Sequence, residues 1–277
     1  MTATVLTPAS RTTPAAAAAL EAAAKLWFAA AVIGQGLFVF YILAAYGPTT
    51  LSGDFAAWNE NKQLLKGYVP GDTAGNLAFA AHVLMAAVVT FGGTLQLVPQ
   101  IRARAPAVHR WIGRAFLTTA ILASVVGLYM TWGRPTGDSL PNAIAISLDA
   151  VLILTFAGLA WRTAMARDFV HHRRWAMRTF VVANGVWFLR LGIVAYGILR
   201  KPFGDAAPSM GTFFDIWNFG CYLVPLAILE LYFLAKAGGG PRGRLAMAGG
   251  LVVATGLMSL GIAGSWFGMF APVLAKL

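Results

Sequence analysis

Two short runs rich in histidine, arginine and tryptophan are the parts of this chain best suited to chemistry. They read HRWIGRAF at 109–116 and HRRWAMRTF at 172–180. His, Arg, Trp, Arg and Phe therefore follow in the same order, with one extra residue in the second run. Each run lies where a basic connection turns into a long apolar stretch. Two copies of one device predict a duplicated helical hairpin.

The leading histidine of each run is a candidate haem ligand. Neutral imidazoles on facing helices hold a haem iron from both sides in four-helix membrane cores, and arginines at the same level neutralise the haem propionates. His109 and His172 have matched depth in their apolar stretches, and an arginine follows each at once. We therefore expect haem b as the cofactor, with both histidines on the iron. The arginines expected beside it are Arg110, Arg114, Arg174 and Arg178.

The same residues also fit an interfacial role without a cofactor. Arginines reach lipid phosphates and tryptophans lie at headgroup level whatever the function of a membrane protein. Topology alone, however, requires Lys or Arg and not His in the same place twice. Two hypotheses therefore stay open. One is an electron-transfer protein that exchanges electrons with quinone or a partner subunit, and the other is a non-enzymatic accessory subunit or lipid-headgroup-binding protein of a larger complex.

The composition places both motifs in a polytopic membrane protein. Hydrophobic residues make up 58% of the chain and charged residues 11%, whereas soluble domains are about half apolar and a quarter charged. The net charge of +11 would suggest nucleic acid as partner in a soluble chain. Here most basic residues lie in connections on one side of the apolar runs, which topology explains without nucleic acid. The single cysteine, Cys221, excludes an intrachain disulfide and a cysteine-ligated cluster.

Seven apolar runs of spanning length predict an all-α bundle of about seven transmembrane helices. The runs are 26–46, 76–98, 111–132, 141–161, 175–199, 212–235 and 245–270. Residues 1–25 are expected to form a solvated cytoplasmic tail. Residues 26–75 are expected to form the first span and an outer loop, in which Phe55 to Leu65 is an amphipathic interfacial segment. Residues 76–200 are expected to form a four-helix core built from the duplicated hairpin, and residues 201–277 two further spans.

The basic residues also predict an orientation. Fourteen of the 21 lysines and arginines fall in the N-terminal tail and the connections that share its side, the motif arginines included. Most acidic residues fall on the opposite side. The positive-inside rule then predicts a multi-pass protein of the cytoplasmic membrane, with its N-terminus and both motifs in the cytoplasm and its C-terminus outside.

Three ionisable residues lie deeper, in the half of the bundle away from the motifs. His82, Asp149 and Arg190 belong to spans two, four and five. An isolated Asp or Arg in hydrocarbon costs about 2.5 to 3.5 kcal/mol on insertion scales, so we expect the three to meet. The prediction is a polar pocket in which Asp149 and Arg190 pair and His82 lies beside them.

Two roles for this outer pocket are open: it locks two helices, or it admits an external reductant, a quinone headgroup or haem propionates. A small transporter is a third hypothesis for the chain, and the absence of matching Gly or Pro interruptions in spans two to five argues against it. No glycine-rich dinucleotide loop and no cysteine-rich cluster site are present, so any enzymatic activity would need an external donor.

The motifs resemble a family of bacterial membrane proteins, domain of unknown function 2306, which implies an inner-membrane location. The resemblance rests on PAVHRWIGR at 106–114 and HRRWAMR at 172–178, with Ala81-His82 and Gln96 upstream and Leu189-Arg190 downstream. It covers roughly residues 75–200 and implies no settled activity.

A weaker resemblance is architectural. Two-haem transmembrane cytochromes b of the ascorbate-reductase kind pair histidines on alternate helices of four, which implies one haem between His109 and His172. The second pair is incomplete here, since His82 in span two has no histidine in span four to match it.

Overall fold

The computed structural model describes residues 14–60, 67–134 and 139–275, and all regular elements in these ranges are helical. The helices are α1 (Pro14–Ser52), α2 (Thr73–Gln96), α3 (Pro99–Arg104), α4 (Pro106–Gly133), α5 (Leu140–Met165), α6 (Phe169–Ala183), α7 (Gly185–Leu199), α8 (Met210–Gly238), α9 (Gly240–Ser265) and α10 (Ala271–Leu274). Short 3-10 helices lie at Phe55–Glu60 and Lys201–Ala206, and a π-helical turn at Trp266–Phe270.

Six described helices are long and apolar enough to span a membrane, and α6 with α7 makes a seventh span if the bent pair counts as one. The expected all-α polytopic bundle is thereby confirmed. The expected continuity of span five is wrong, because α6 and α7 are bent by 50°. Asn184 leaves the helical conformation at the junction, and its side-chain Nδ2 donates to the Phe180 carbonyl at 2.8 Å. A side-chain amide that bonds the preceding turn competes with the main-chain ladder, and this accounts for the break.

The first helix is longer than the apolar run that predicts it. Leu20 and Ala23 are buried and pack in a cluster with Ala235 of α8 and Leu251 of α9, and Ala16 is buried as well. The expected solvated tail is therefore wrong for residues 14–25, which continue the first span and cover the neighbouring helices. The rest of the predicted tail lies outside the described residues.

The connection after α1 also packs more closely than expected. Trp58 in the first 3-10 helix is only 3% exposed, and its ring centroid lies 5.4 Å from that of Phe79 on α2. Its indole N–H donates to the Thr49 hydroxyl at 3.1 Å. Trp58 thus holds a short 3-10 helix against the bundle, while Leu64 and Leu65 lie outside the described residues and the interfacial location of the segment stays a prediction.

The helices pair as hairpins. Helix α2 packs along α4, and α5 packs along α6, with α4 against α5 joining the two pairs; α1 and α9 pack together and close the bundle over α7 and α2. Ala157 and Ala160 of α5 are completely buried, and such small side chains let neighbouring backbones approach closely. Gly93 of α2 serves the same purpose, because a Cβ there would lie 2.9 Å from the rings of both Phe116 and Phe180.

An ion pair fixes the end of the bundle at which α2 begins. Arg134, whose side chain is 2% exposed, donates from Nε to Asp72 Oδ2 at 2.9 Å and from Nη2 to Asn76 Oδ1 at 2.6 Å and to the Gly67 carbonyl at 3.1 Å. Asp72 also caps α2 by accepting the Gly75 N–H at 2.9 Å. The end of α4, the start of α2 and the preceding loop are therefore held by one guanidinium.

This ion pair predicts an acid sensitivity. The hydrogen bonds from Arg134 and from the Gly75 N–H hold the pKa of Asp72 below its ordinary value. Its stabilising effect is therefore complete above the ordinary aspartate pKa of about 3.9 and is lost as the pH falls through the lower folded value. We expect Asp72→Asn to melt at a lower temperature than the wild type at neutral pH and to lose less of its melting temperature on acidification. The measurement is thermal unfolding in detergent over that pH range. The exposed Asp215→Asn variant serves as control, and an Asp72→Asn profile parallel to the wild type would contradict the assignment.

Candidate functional site

The structure brings the leading histidines of the two motifs to one end of the bundle, called here the motif end. His109 is the fourth residue of α4 and His172 the fourth residue of α6, so their depths match. Both are half-buried, and each lies near enough for electrostatic interaction with the other. Both helices begin earlier than the apolar runs suggested, because Pro106 opens α4 and the Asp168 side chain caps α6.

Each histidine is tied to the first helix of its own hairpin. The Nδ1 of His172 donates to the Ala160 carbonyl of α5 at 2.9 Å, which leaves Nε2 as its open nitrogen. The main-chain carbonyl of His109 accepts from Gln96 Nε2 of α2 at 3.0 Å. Gly113 makes room for this contact, because a Cβ there would lie 2.9 Å from Gln96 Oε1. The second hairpin therefore holds its histidine through a ring nitrogen and the first through a main-chain carbonyl, and both histidines lie at the motif end.

The imidazole of His109 keeps an unused nitrogen. Its Nδ1 is buried and has no hydrogen-bond partner among the described residues. The cationic groups near it are Arg102 and Arg110, and the imidazole of His172 is a further neighbour. A neutral imidazole in such a setting offers a lone pair to a metal, and the surrounding positive charges favour an anionic group beside it. No group of three or more His, Cys, Asp or Glu side chains in the described ranges is arranged to hold a metal ion without further ligands.

The neighbouring His171 does not belong to this arrangement. It is exposed, and its Nδ1 lies 2.7 Å from Asp168 Oδ2. The hydrogen bonds from the His171 main chain and ring hold the pKa of Asp168 below its ordinary value. The two residues act as a surface cap at the start of α6, which makes His171 a matched control for His172.

The motif arginines do not converge as expected. Arg178 donates from Nε and Nη2 to both carboxylate oxygens of Glu230 on α8, at 2.6 and 2.8 Å, and also lies 4.5 Å from the Trp175 ring centroid. The guanidinium of Arg178 thus forms an interhelical ion pair, and its expected place beside a cofactor stays a prediction. Arg174 lies over the ring of Phe233, also on α8, at 5.5 Å.

The first motif copy faces outward instead. Arg114 lies 5.1 Å from the ring centroid of Trp111, and Trp111 is 69% exposed. The difference follows from the fold: α8 packs over α6 and supplies partners to the second copy, whereas the corresponding face of α4 is exposed. Of the four expected arginines, Arg110 is the one among the charged neighbours of His109, and Arg102, which was not singled out from the sequence, joins it.

Comparison with known proteins gives a family. The model of the family described as "predicted membrane protein (DUF2306)" matches residues 79–233, which is more than half of the chain. The chain belongs to the DUF2306 family. The match runs from α2 into α8, so the DUF2306 region contains both motifs and also Glu230, and reaches further than the residues that carried the resemblance. No curated protein and no solved structure matches the chain.

The expected outer pocket of the DUF2306 region is not formed. Arg190 donates from Nη1 to its own helix at the Val186 carbonyl, 3.2 Å away, and lies 5.2 Å from the ring centroid of Phe38 on α1. The Nδ1 of His82 bonds the Ala123 carbonyl of α4 at 3.1 Å. Asp149 makes no ion pair, and its Oδ1 is buried without a hydrogen-bond partner among the described residues.

The predicted Asp149–Arg190 pair is therefore wrong. Helical rise predicts the depths of Asp149 and Arg190 in the membrane but not the directions in which their side chains point. The break at Asn184 bends α7, so that Arg190 lies against α1 while Asp149 faces the junction of α6 and α7 at Gly185. His82 stays within electrostatic reach of Arg190. The break also removes the argument against transport that rested on uninterrupted helices.

The ion pair of Arg178 with Glu230 predicts a measurable coupling. Its side chains are 18% and 40% exposed and bonded through two atoms each, so we expect a coupling free energy of about 1 kcal/mol, at the upper end for partly exposed pairs. The measurement is unfolding in detergent of Arg178→Gln, Glu230→Gln and the double variant. The exposed pair of Lys25 with Glu21 is the control and should couple weakly. Strictly additive effects at Arg178 and Glu230 would show that the contact contributes nothing.

Proposed function

We propose that this DUF2306 protein is a haem b-binding electron-transfer component of the membrane. The observation that carries the proposal is the buried, unpartnered Nδ1 of His109 beside the imidazole of His172. A buried ring nitrogen without a hydrogen bond is costly unless a ligand uses it. Iron coordination from two helices at matched depth is such a use.

A second observation, the hydrogen bond made by His172, also supports haem binding. Histidines that bind metal donate their other ring N–H to a carbonyl or carboxylate, which fixes the tautomer and the ring orientation. His172 makes this contact with the Ala160 carbonyl. The residues that would hold haem are therefore His109 and His172 at the iron, with Arg102 and Arg110 positioned to neutralise carboxylates near His109.

The surroundings limit where such a group lies. Phe116 and Phe180 contact the space beside Gly93 about two turns beyond the histidines on α4 and α6, and both belong to one buried cluster with Val89. The interior between the two helices is thus filled, and the group lies toward the connections at the motif end. There it would supply one-electron chemistry, and quinone or a partner subunit would be the donor or acceptor, since no redox domain is recognisable in the sequence.

The proposal is tested by optical spectroscopy. Protein purified after expression with ample haem should show a Soret band and a reduced-minus-oxidised α band. Both bands should be lost in His109→Ala and in His172→Ala, because each variant removes one axial ligand. Arg102→Gln with Arg110→Gln should keep the bands and shift the reduction potential, because positive charges beside the haem are removed.

The matched control is His171→Ala, one residue from His172 but exposed and bonded to Asp168. It should retain both bands at wild-type intensity. A colourless wild-type protein that is folded by circular dichroism, or bands that survive in both His109→Ala and His172→Ala, would end the haem proposal.

Binding of anionic lipid headgroups is the second candidate function. It is favoured by the exposed face formed by Trp111 and Arg114, where a guanidinium stacked on an aromatic ring at a helix end suits a phosphate. If the protein is colourless, native mass spectrometry should show retained anionic lipid that is reduced in Arg114→Gln. Equal lipid retention in the variant would exclude this face.

We also propose that the motif end lies in the cytoplasm and that the bent pair α6 and α7 counts as one span. This arrangement follows the basic residues of the connections. Reporters fused within residues 99–106 and after residue 277 should then report opposite sides of the membrane. A cytoplasmic C-terminus together with a cytoplasmic 99–106 segment would show that the number of spans is even.

A further inference from the structure

Asp149 is an ionisable residue within the membrane-spanning helix α5, and its carboxyl group packs against neighbouring helices. Its Oδ2 is 2.9 Å from the point where a Cβ on Gly185 would stand, and Tyr222 Cβ is 3.3 Å from the same point. The carboxyl group therefore occupies the space at the break between α6 and α7 that the missing side chain of Gly185 leaves open. Cys221 and Tyr222 of α8 are its titratable neighbours.

No cation faces this carboxyl group among the described residues. Arg190 lies on α7, five residues beyond Gly185, but its guanidinium is held by the Val186 carbonyl and the Phe38 ring. The helices that pack on α5 are α4, α6 and α8. Arg178 and Glu230 on α6 and α8 satisfy each other at the motif end. A carboxylate without a counterion in a membrane core is strongly disfavoured.

The hydrogen-bond groups nearby do not balance for an ionised Asp149. Three buried side-chain atoms on α5, at the α6–α7 junction and on α8 have no partner among the described residues: Asp149 Oδ1, Asn184 Oδ1 and Asn218 Nδ2. Asn184 adjoins Gly185 and is 1% exposed, and Asn218 is one turn before Tyr222 on α8 and 5% exposed. Two of these atoms are acceptors and one is a donor. A proton on Asp149 converts one acceptor into a donor and so removes the imbalance.

The other groups at the site supply no donor. The Tyr222 hydroxyl donates to the Ala145 carbonyl at 3.1 Å, and the Cys221 thiol donates to the Asn218 carbonyl at 3.3 Å. The other buried atoms without partners among the described residues belong to Gln35 on α1, Ser265 on α9 and His109 at the motif end.

We propose that Asp149 is a proton-binding site in the membrane core, at which the carboxyl group donates to Asn184 and accepts from Asn218 across the break in span five. We infer a proton and not a metal cation as the ligand, because the unpartnered atom of Asn218 is an amide N–H, which donates a hydrogen bond and cannot coordinate Na⁺ or K⁺. The site is separate from the histidine pair and goes beyond the proposed haem function.

Infrared spectroscopy tests the proposal directly. Purified wild-type protein at neutral pH should show the carbonyl stretch of a protonated carboxylic acid, shifted in D2O and moved by carbon-13 labelling of aspartate. The band should be lost in Asp149→Asn and retained in Asp215→Asn, which alters an exposed aspartate of α8. It should change frequency in Asn184→Ala, because that variant removes the acceptor.

Stability gives an independent readout. Asp149→Asn replaces a neutral carboxyl by a neutral amide of the same shape, so its melting temperature should stay within a few degrees of wild type, while Asp149→Leu should lower it by leaving both asparagines unpaired. If Asp149→Asn does not fold, the Asn184→Ala frequency shift carries the test. Identical carboxylic bands in wild type, Asp149→Asn and Asn184→Ala would overturn the proposal. Loss of the wild-type band on adding NaCl at constant pH would overturn it in favour of a metal cation.

Discussion

Polar groups inside a bilayer have no water to bond, so each one in this bundle must find its partner within the protein. Toward the two ends of the bundle, two arginines supply such partners. Arg134 closes one end by bonding Asp72, Asn76 and the preceding loop, and Arg178 joins α6 to α8 through Glu230 near the other. Both arginines connect elements far apart in the chain, and their forked geometry suits several acceptors at once.

Several other buried polar atoms have no hydrogen-bond partner among the described residues. Within the described ranges they include the open nitrogen of His109 at the motif end and the group formed by Asp149, Asn184 and Asn218 near the break in span five, while Gln35 Nε2 and Ser265 Oγ lie apart from both. Buried polar atoms without partners are rare in native proteins, and where they occur they need a physical reason such as a ligand or a proton. The two proposals made for this chain address these two places, and each is independent of the other.

The sequence predicted the number and nature of the spans because the thickness of the bilayer fixes the length of an apolar run. It did not predict where helices end, since hydropathy does not register the caps at Pro106 and Asp168 or the packing of Leu20 against α8 and α9. The sequence did not predict the break in span five, because no proline marks it. An asparagine within an apolar run is compatible with a straight helix, and only its bond to the Phe180 carbonyl marks the bend.

The site could be predicted in part for a related reason. Repetition of the motifs placed His109 and His172 at equal depth, and depth is what helical rise provides. The ion pair of Arg178 could not be predicted, because its partner Glu230 lies 52 residues away on α8, a helix that covers only the second copy of the motif. Equal depth likewise suggested that Asp149 and Arg190 would meet, but the direction of a side chain depends on the bend of α7, which no local pattern recorded.

Helix α6 connects the two polar regions. His172 stands in its first turn and Asn184 follows its end, so the two are about 18 Å apart along the helix axis. Between them Arg178 fastens α6 to α8, and His172 itself is held by the Ala160 carbonyl of α5. A shift of α6 along its axis would break both contacts, whereas the junction with α7 depends on the Asn184 side chain. A change of charge or hydrogen bonding at Asp149 therefore acts first on α7 and Arg190, and leaves the geometry of the histidine pair in place.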